Sequence, residues 1–168
     1  MLKSQRRMIE IVVSPEVGVV NTYKIVTMIR ATTERDYTQV CSLLQSESLP
    51  IIDLEKDLPH FFVKTVDGEI VGSIGLEHYG QSALLRSMIV SPDFRNKGIA
   101  SELVNQLTGY AKEHGVKKLF LITNTAENYF QKLGFMKITR EEVEREVLQS
   151  KEFNGLCPAS SAIMVKQL

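Results

Sequence analysis

The chain has 168 residues, 43% hydrophobic and 24% charged, which suits one domain whose core needs no disulfide or metal staple. Twenty Lys and Arg balance twenty Asp and Glu, so a general nucleic-acid or anionic-membrane binder is excluded and any anion site must be local. Two cysteines, Cys41 and Cys157, give no disulfide framework. No apolar run approaches the roughly 18 residues of a membrane span. The first apolar run stops at Ser14-Pro15-Glu16, too early for an export signal, so a cytoplasmic protein is expected.

Residues 1–27 hold two short β-branched runs around that Ser-Pro-Glu break. They read as an arm or extra hairpin, with a domain starting at Met28 and running to residue 168. Thr33-Glu34-Arg35-Asp36 offers a helix cap with an acid three residues on, and Tyr37, Val40, Leu43 and Leu44 follow at helical spacing. Residues 46–59 are polar and proline-containing, a loop or a short second helix. Residues 61–66 form a strand that Asp67-Gly68 turns into a hairpin with residues 69–79. A third strand covers 82–90. An amphipathic helix covers about 98–113, buries Ile99, Leu103, Gln106 or Leu107, and Tyr110, and stops at Gly115. Residues 116–123 are a central strand, largely apolar after its lysines. A short helix over 126–133 ends at Gly134, and a strand follows over 135–138. Thr139-Arg140-Glu141-Glu142 is a capping box that predicts a helix to about Phe153, and residues 161–168 form the last strand. The result is a mixed α/β sheet.

The joint Arg95-Asn96-Lys97-Gly98-Ile99-Ala100 couples the third strand to the long helix. A helix N-terminus exposes unpaired N–H groups and the positive end of the macrodipole. Gly98 permits close approach, and Arg95 and Lys97 add charge at the rim. Such a joint can cradle a pyrophosphate, although an ordinary strand-turn-helix junction has a similar pattern. Arg95-x-x-Gly98-x-Ala100 follows Val90-x-Pro92, and Tyr129-Phe130-Gln131-Lys132-Leu133-Gly134-Phe135 comes about thirty residues later. In that order and on those elements, the residues from 29 to 168 resemble the GNAT superfamily of N-acetyltransferases.

The resemblance implies an α/β GNAT fold: a mixed, mostly antiparallel sheet flanked by helices, with a V-shaped splay between two central strands. It implies acetyl-CoA as co-substrate, held by the backbone of Met88, Ile89 and Val90, by the N–H groups of Asn96 to Ala100, and by Asn124. Relatives commonly have Gly where this chain has Asn96 and Ala100. Many also have a tyrosine five residues before the Phe of the Gly-Phe pair, serving as general acid; here Phe130 stands there and Tyr129 precedes it. Within the superfamily the Tyr-Phe-x-x-Leu-Gly-Phe order resembles the acetyltransferase domain of bacterial N-acetylglutamate synthases. Thr125-Ala126-Glu127-x-Tyr129-Phe130, together with Lys151-Glu152-Phe153 and residues 155–161, resembles the N-acetyltransferases associated with arsenic-resistance operons.

Acyl transfer to an amine needs an oriented nucleophile, an oxyanion donor and a proton acceptor. The acceptor candidates are Glu77 and His78, near the end of a strand that should flank the splay. Arg86, in the otherwise apolar Leu84-Leu85-Arg86-Ser87-Met88-Ile89-Val90 run, is the candidate for holding a substrate carboxylate, with Ser87 beside it; pairing with an acid such as Glu77 is the structural alternative. Alternation places Arg86 and Met88 on one face and Ser87 and Ile89 on the other. His60, His78, His114 and the two cysteines show no metal-ligand spacing, so no metal is expected. Cys157 is read as a buried structural thiol or a residue of the substrate mouth. The expectation is transfer of acetyl to a small amine acceptor, with a homodimer left open and neither nucleic acid nor membrane as partner. A protein N-acetyltransferase with an acidic groove from Asp53, Glu55 and Asp57, and a non-catalytic CoA-binding sensor, are the alternatives.

Overall fold

A computed structural model describes residues 5–12 and 22–168. Twelve elements matter for the site: β1 (Gln5–Val12), β2 (Thr22–Ala31), α1 (Tyr37–Ser46), β3 (Phe61–Val66), β4 (Glu69–Tyr79), β5 (Ser82–Val90), α2 (Ile99–Glu113), β6 (Lys118–Thr123), α3 (Glu127–Lys132), β7 (Met136–Ile138), α4 (Arg145–Leu148) and β8 (Ala162–Gln167). One sheet runs in the order β1-β2-β3-β4-β5-β6-β8-β7. Every pairing is antiparallel except β5 with β6. The domain start expected at Met28 falls inside β2, where Met28 pairs with Arg6 on one side and Thr65 on the other.

The helices divide the core into two sides. The apolar stripe of α2 (Ile99, Leu103, Val104, Leu107) packs with Leu85, Val90, Leu119, Leu121 and Phe130. On the other face, α1 covers Phe61, Val63 and Ile89, while Val143, Val147 and Phe153 cover Leu84 and Phe120. Leu119 and Phe120 thus enter opposite layers, as expected for a central strand. Gly75 is required by packing: a Cβ there would sit 2.4 Å from the Phe61 ring.

The parallel pair is short. Ser82 to Leu85 pair with Lys118 to Leu121, and pairing then stops. Arg86 to Val90 keep β4 as their partner but leave their other edge open, which makes the expected splay. A bulge sits at the same place: Arg86 opposes Gly75 and Ile89 opposes Ser73, so Ser87 and Met88 together face Ile74. Ser87 takes φ +52°, and its carbonyl accepts a 3.0 Å hydrogen bond from the buried Ser73 hydroxyl. The extra residue inverts the alternation. Met88 joins Leu85 and Val90 on the α2 side, whereas Ile89 joins the α1 side. The expected grouping of Arg86 with Met88 is therefore corrected.

Two further local readings change. Residues 47–60 contain no helix. The capping box at Thr139 is present but opens only a three-residue turn, and α4 is a separate four-residue helix. Val143 and Glu144 are extended, with ψ of 136° and 143°. On one straight helix, Phe153 would point about 120° away from Val147. Breaking the helix buries Val143, Val147 and Phe153 together and lets the Glu144 carboxylate accept from Ser82 and from Lys118 at 2.7 Å.

Candidate active site

The splay opens into a cavity of about 880 Å³. Its walls are the free edge of β5, the first turn of α2, the end of β6, Tyr129 on α3, and two loops at residues 47–50 and 156–158. Of the ten residues expected to bind the cofactor, nine line it: Met88, Ile89, Val90, Arg95, Asn96, Gly98, Ile99, Ala100 and Asn124. Lys97 does not, because its ammonium turns back to the Asp93 carbonyl at 2.9 Å and lies over the Phe94 ring.

The α2 joint has the geometry of an anion cradle. Asn96 and Gly98 both take left-handed backbone, with φ of 61° and 80°. Asn is among the few side-chain-bearing residues that adopt this region readily, so Asn96 meets a backbone demand that glycine would also meet. Among the described residues, no hydrogen bond occupies the backbone N–H groups of Asn96 to Ser101. A Cβ at Gly98 would meet nothing within 4 Å, so the space before the cradle is open. Arg95 braces the joint: its Nε donates to the Val90 carbonyl at 3.0 Å, and its guanidinium pairs with Glu47 at 2.9 Å.

Tyr129 also lines the cavity, with its hydroxyl 3.2 Å from the Ser101 hydroxyl on α2. Phe130 is buried against Phe135 and Tyr129. One residue of helical rotation thus turns the tyrosine toward α2 and the phenylalanine into the core. Ser101 was missed in the sequence, where an isolated serine in a first helical turn looks like any other.

Arg86 and Ser87 line the cavity as well, but the charge of Arg86 is already engaged. Its guanidinium grips Asp53 with two bonds of 2.6 and 2.8 Å, bonds Glu77, and faces Glu152 at 3.4 Å. Only 3% of its side chain is exposed. Burial works against that charge, yet three acids hold its pKa above the usual arginine range. Asp53 is likewise pushed up by burial, but the Arg86 hydrogen bond and charge outweigh this and leave it below the usual carboxylate range. The geometry favours the structural alternative, with Arg86 as the hub of a buried acidic cluster and not a free clamp for a substrate carboxylate. The cluster's anionic excess would repel a second carboxylate.

The two proton-acceptor candidates lie outside the cavity wall. Glu77 spends one oxygen on Arg86 and accepts at the other from the Tyr79 hydroxyl at 2.5 Å. His78, one residue along the strand, faces the opposite side and sits 3.4 Å from the His114 carbonyl at the C-terminal end of α2. That is the end of α2 away from the cradle. Of the two carboxyls that do line the cavity, Glu47 is paired with Arg95, and the other is Glu152. Sequence reading missed it because the break after α4, not any local motif, carries it there. Cys157 lines the cavity, and burial, aided by Glu152, pushes its thiol up to about 11.

Among the described residues, no group of three or more His, Cys, Asp or Glu side chains is arranged to hold a metal ion, and no helix is long and apolar enough to cross a membrane.

The splayed sheet and the cradle at α2 define a class, and sequence comparison agrees with them. The model of the acetyltransferase (GNAT) family matches residues 24–135, and the chain belongs to that family. An acetyltransferase of Pectobacterium atrosepticum is 28% identical over 121 residues, 67% of this chain and 86% of its own length. An amino-acid acetyltransferase of Ralstonia nicotianae is 30% identical over 95 residues, 55% of this chain but only 21% of the relative. N-acetylglutamate synthase from Neisseria gonorrhoeae, solved with coenzyme A and N-acetylglutamate, has the same fold at a TM-score of 0.73 and 20% identity, over 84% of this chain and 35% of that one. A Mycobacterium tuberculosis protein solved with CoA gives 0.70 at 18% identity, over 83% of this chain and 98% of that one. The chain is a GNAT-family acetyltransferase whose length spans only part of its amino-acid acetyltransferase relatives.

Proposed function

We propose that the chain transfers the acetyl group of acetyl-CoA to the amine of a small amino-acid-like acceptor, by direct attack while both are bound. The observation that carries this reading is the pairing of a free β5 edge with the unoccupied donors of Asn96 to Ser101 on one wall of one cavity. Peptide groups on an open strand edge require partners, and the amide-bearing arm of CoA would supply them along Met88 to Val90, where the Val90 carbonyl already accepts from Arg95. The six N–H groups and the α2 macrodipole suit a pyrophosphate. A backbone N–H at Ile89 or Val90 would face the acetyl carbonyl as negative charge develops on it. Tyr129, braced by Ser101, would help return a proton to the departing sulfur.

Relatives named amino-acid acetyltransferase, and a structural neighbour solved with N-acetylglutamate, support an amino-acid-like acceptor. The loops at 47–50 and 156–158 wall the cavity, which suits a small acceptor better than a folded protein. Asp53 is buried on Arg86, so it is withdrawn from the acidic groove that a protein acceptor would favour. Release of free thiol from acetyl-CoA, measured over a panel of free amino acids, simple amines and short peptides, tests the reading. Turnover of free amino acids or their analogues is expected. Turnover of peptides alone would replace the acceptor class, and tight acetyl-CoA binding without turnover would make the chain a sensor.

A further inference from the structure

Glu152 is the one acid of the Arg86 cluster that is not fully committed within it. Asp53 gives both carboxylate oxygens to Arg86, and Glu77 divides its two between Arg86 and Tyr79. Glu152 has a single contact, 3.4 Å from the Arg86 Nε. It is 7% exposed, and its carboxyl accepts no other hydrogen bond from the described residues. Unlike Asp53 and Glu77, it lines the cavity, beside Ser87, Leu156 and Cys157. A nearly buried carboxylate with a vacant oxygen requires a partner, and the cavity is where that partner can arrive.

We propose that Glu152 is a catalytic residue that receives the acceptor as its ammonium and takes its proton, an inference that rests on the acetyltransferase reading above. The two sides of the sheet divide the work. The cradle and Tyr129 belong to the α2 side, whereas Arg86, Asp53 and Glu152 belong to the opposite side with α1 and α4. Cofactor and acceptor therefore approach the open edge of β5 from opposite faces. Glu152 takes one proton from the ammonium, which frees the nitrogen lone pair. The N–C bond to the acetyl carbon forms and the C–S bond breaks, with its electron pair leaving on sulfur. The second proton lost by nitrogen ends on that sulfur, and Glu152 returns its own to solvent. Nothing is oxidised or reduced.

The surroundings suit this work. Burial lifts the Glu152 pKa to about 7; Arg86 opposes the lift, and Glu77 and Asp53 add to it. Arg140, on its far side, donates to the Phe153 carbonyl at 2.9 Å. The Cys157 thiol stays protonated and does not compete as a nucleophile. A base near neutrality is better matched to an amine of modest basicity than to a lysine-like amine near 10.4. Arg86 and, from the surface, Lys151 face three acids, so the cluster admits an ammonium, and an amino-acid-like acceptor would turn its carboxylate away from it.

The test uses the full chain, acetyl-CoA and the amine that the wild type turns over fastest. Glu152→Gln should lower kcat/KM at pH 7 by about 10²–10⁴-fold and leave acetyl-CoA affinity by calorimetry within about twofold. It should also remove the wild-type inflection near pH 7, leaving a rate that climbs about tenfold per pH unit until the amine itself deprotonates. Glu152→Asp, which keeps the acid, should retain an inflection at a reduced rate; it also serves if the Gln variant does not fold. A Gln variant with wild-type rate and profile overturns the inference, as does an Asp variant without an inflection. A wild type that releases no thiol with any amine overturns the acetyltransferase reading first, and this inference with it.

Discussion

The two walls of the cleft are built on different principles. The α2 wall is backbone: left-handed residues at Asn96 and Gly98 and a row of unoccupied N–H groups within six consecutive positions. The opposite wall is side chain: Arg86 from β5 and Glu152 from the break after α4 line it, backed by Glu77 from β4 and Asp53 from the loop after α1. A backbone site depends on local conformation, tolerates most side-chain changes and is read from a short motif. A side-chain cluster drawn from four segments is set by packing and fails when one member is removed.

The contrast is broken most severely at Arg86. Removing one partner from a buried ion cluster leaves uncompensated charge, at a cost of about 3–5 kcal/mol. Arg86→Leu should therefore lower unfolding stability by that order in denaturant titration. A folded variant of near-normal stability that raises only the acceptor KM would restore the carboxylate-clamp role. At the other wall, Gly98→Glu places bulk, negative charge and an unfavourable φ of 80° before the cradle. Losing two charge-assisted bonds of about 1.5 kcal/mol each should weaken acetyl-CoA binding at least 100-fold by calorimetry. Unchanged affinity would move the cofactor off the α2 joint.

Glu152 sharpens the contrast through pH. Its carboxyl titrates ordinarily near 4.5 and is raised in the fold to about 7, so the fold holds this proton more tightly than the unfolded chain does. Wild-type stability is then fully present below about 4.5 and declines as pH rises to about 7. Glu152→Gln should unfold with about 1–3 kcal/mol more stability than wild type at pH 8 and no advantage at pH 4. A loss at pH 8 would make Glu152 a structural partner of Arg86. The smallest effect is expected at Tyr129. Tyr129→Phe keeps the packing and removes only the hydroxyl that meets Ser101; kcat should fall about tenfold, or roughly 1.4 kcal/mol, with acetyl-CoA affinity nearly intact. No fall would leave solvent to protonate the thiolate, and a fall of 10³ would make Tyr129 an essential acid.

The sequence by itself determined the parts whose causes are local. The hairpin at Asp67-Gly68, the three consecutive strands, the α2 stripe and its glycine stop, and the cradle at Asn96 to Ala100 all follow from turn chemistry, periodicity and helix-end physics acting within a few residues. Tertiary structure decided what depended on distant partners. The bulge at Ser87 moved Met88 to the other face because β4 presents one residue, Ile74, where β5 presents two. The helix expected from Thr139 broke because Val143, Val147 and Phe153 gain more by burying together than a continuous helix allows. Arg86 was visible as an anomaly in an apolar strand, and so was Glu77 as a partner nine positions away, but Asp53 and Glu152 were not, since they lie 33 and 66 positions away along the chain. The charge state of that wall, and with it the place of Glu152 in the cavity, exists only once the fold has brought four separate segments together.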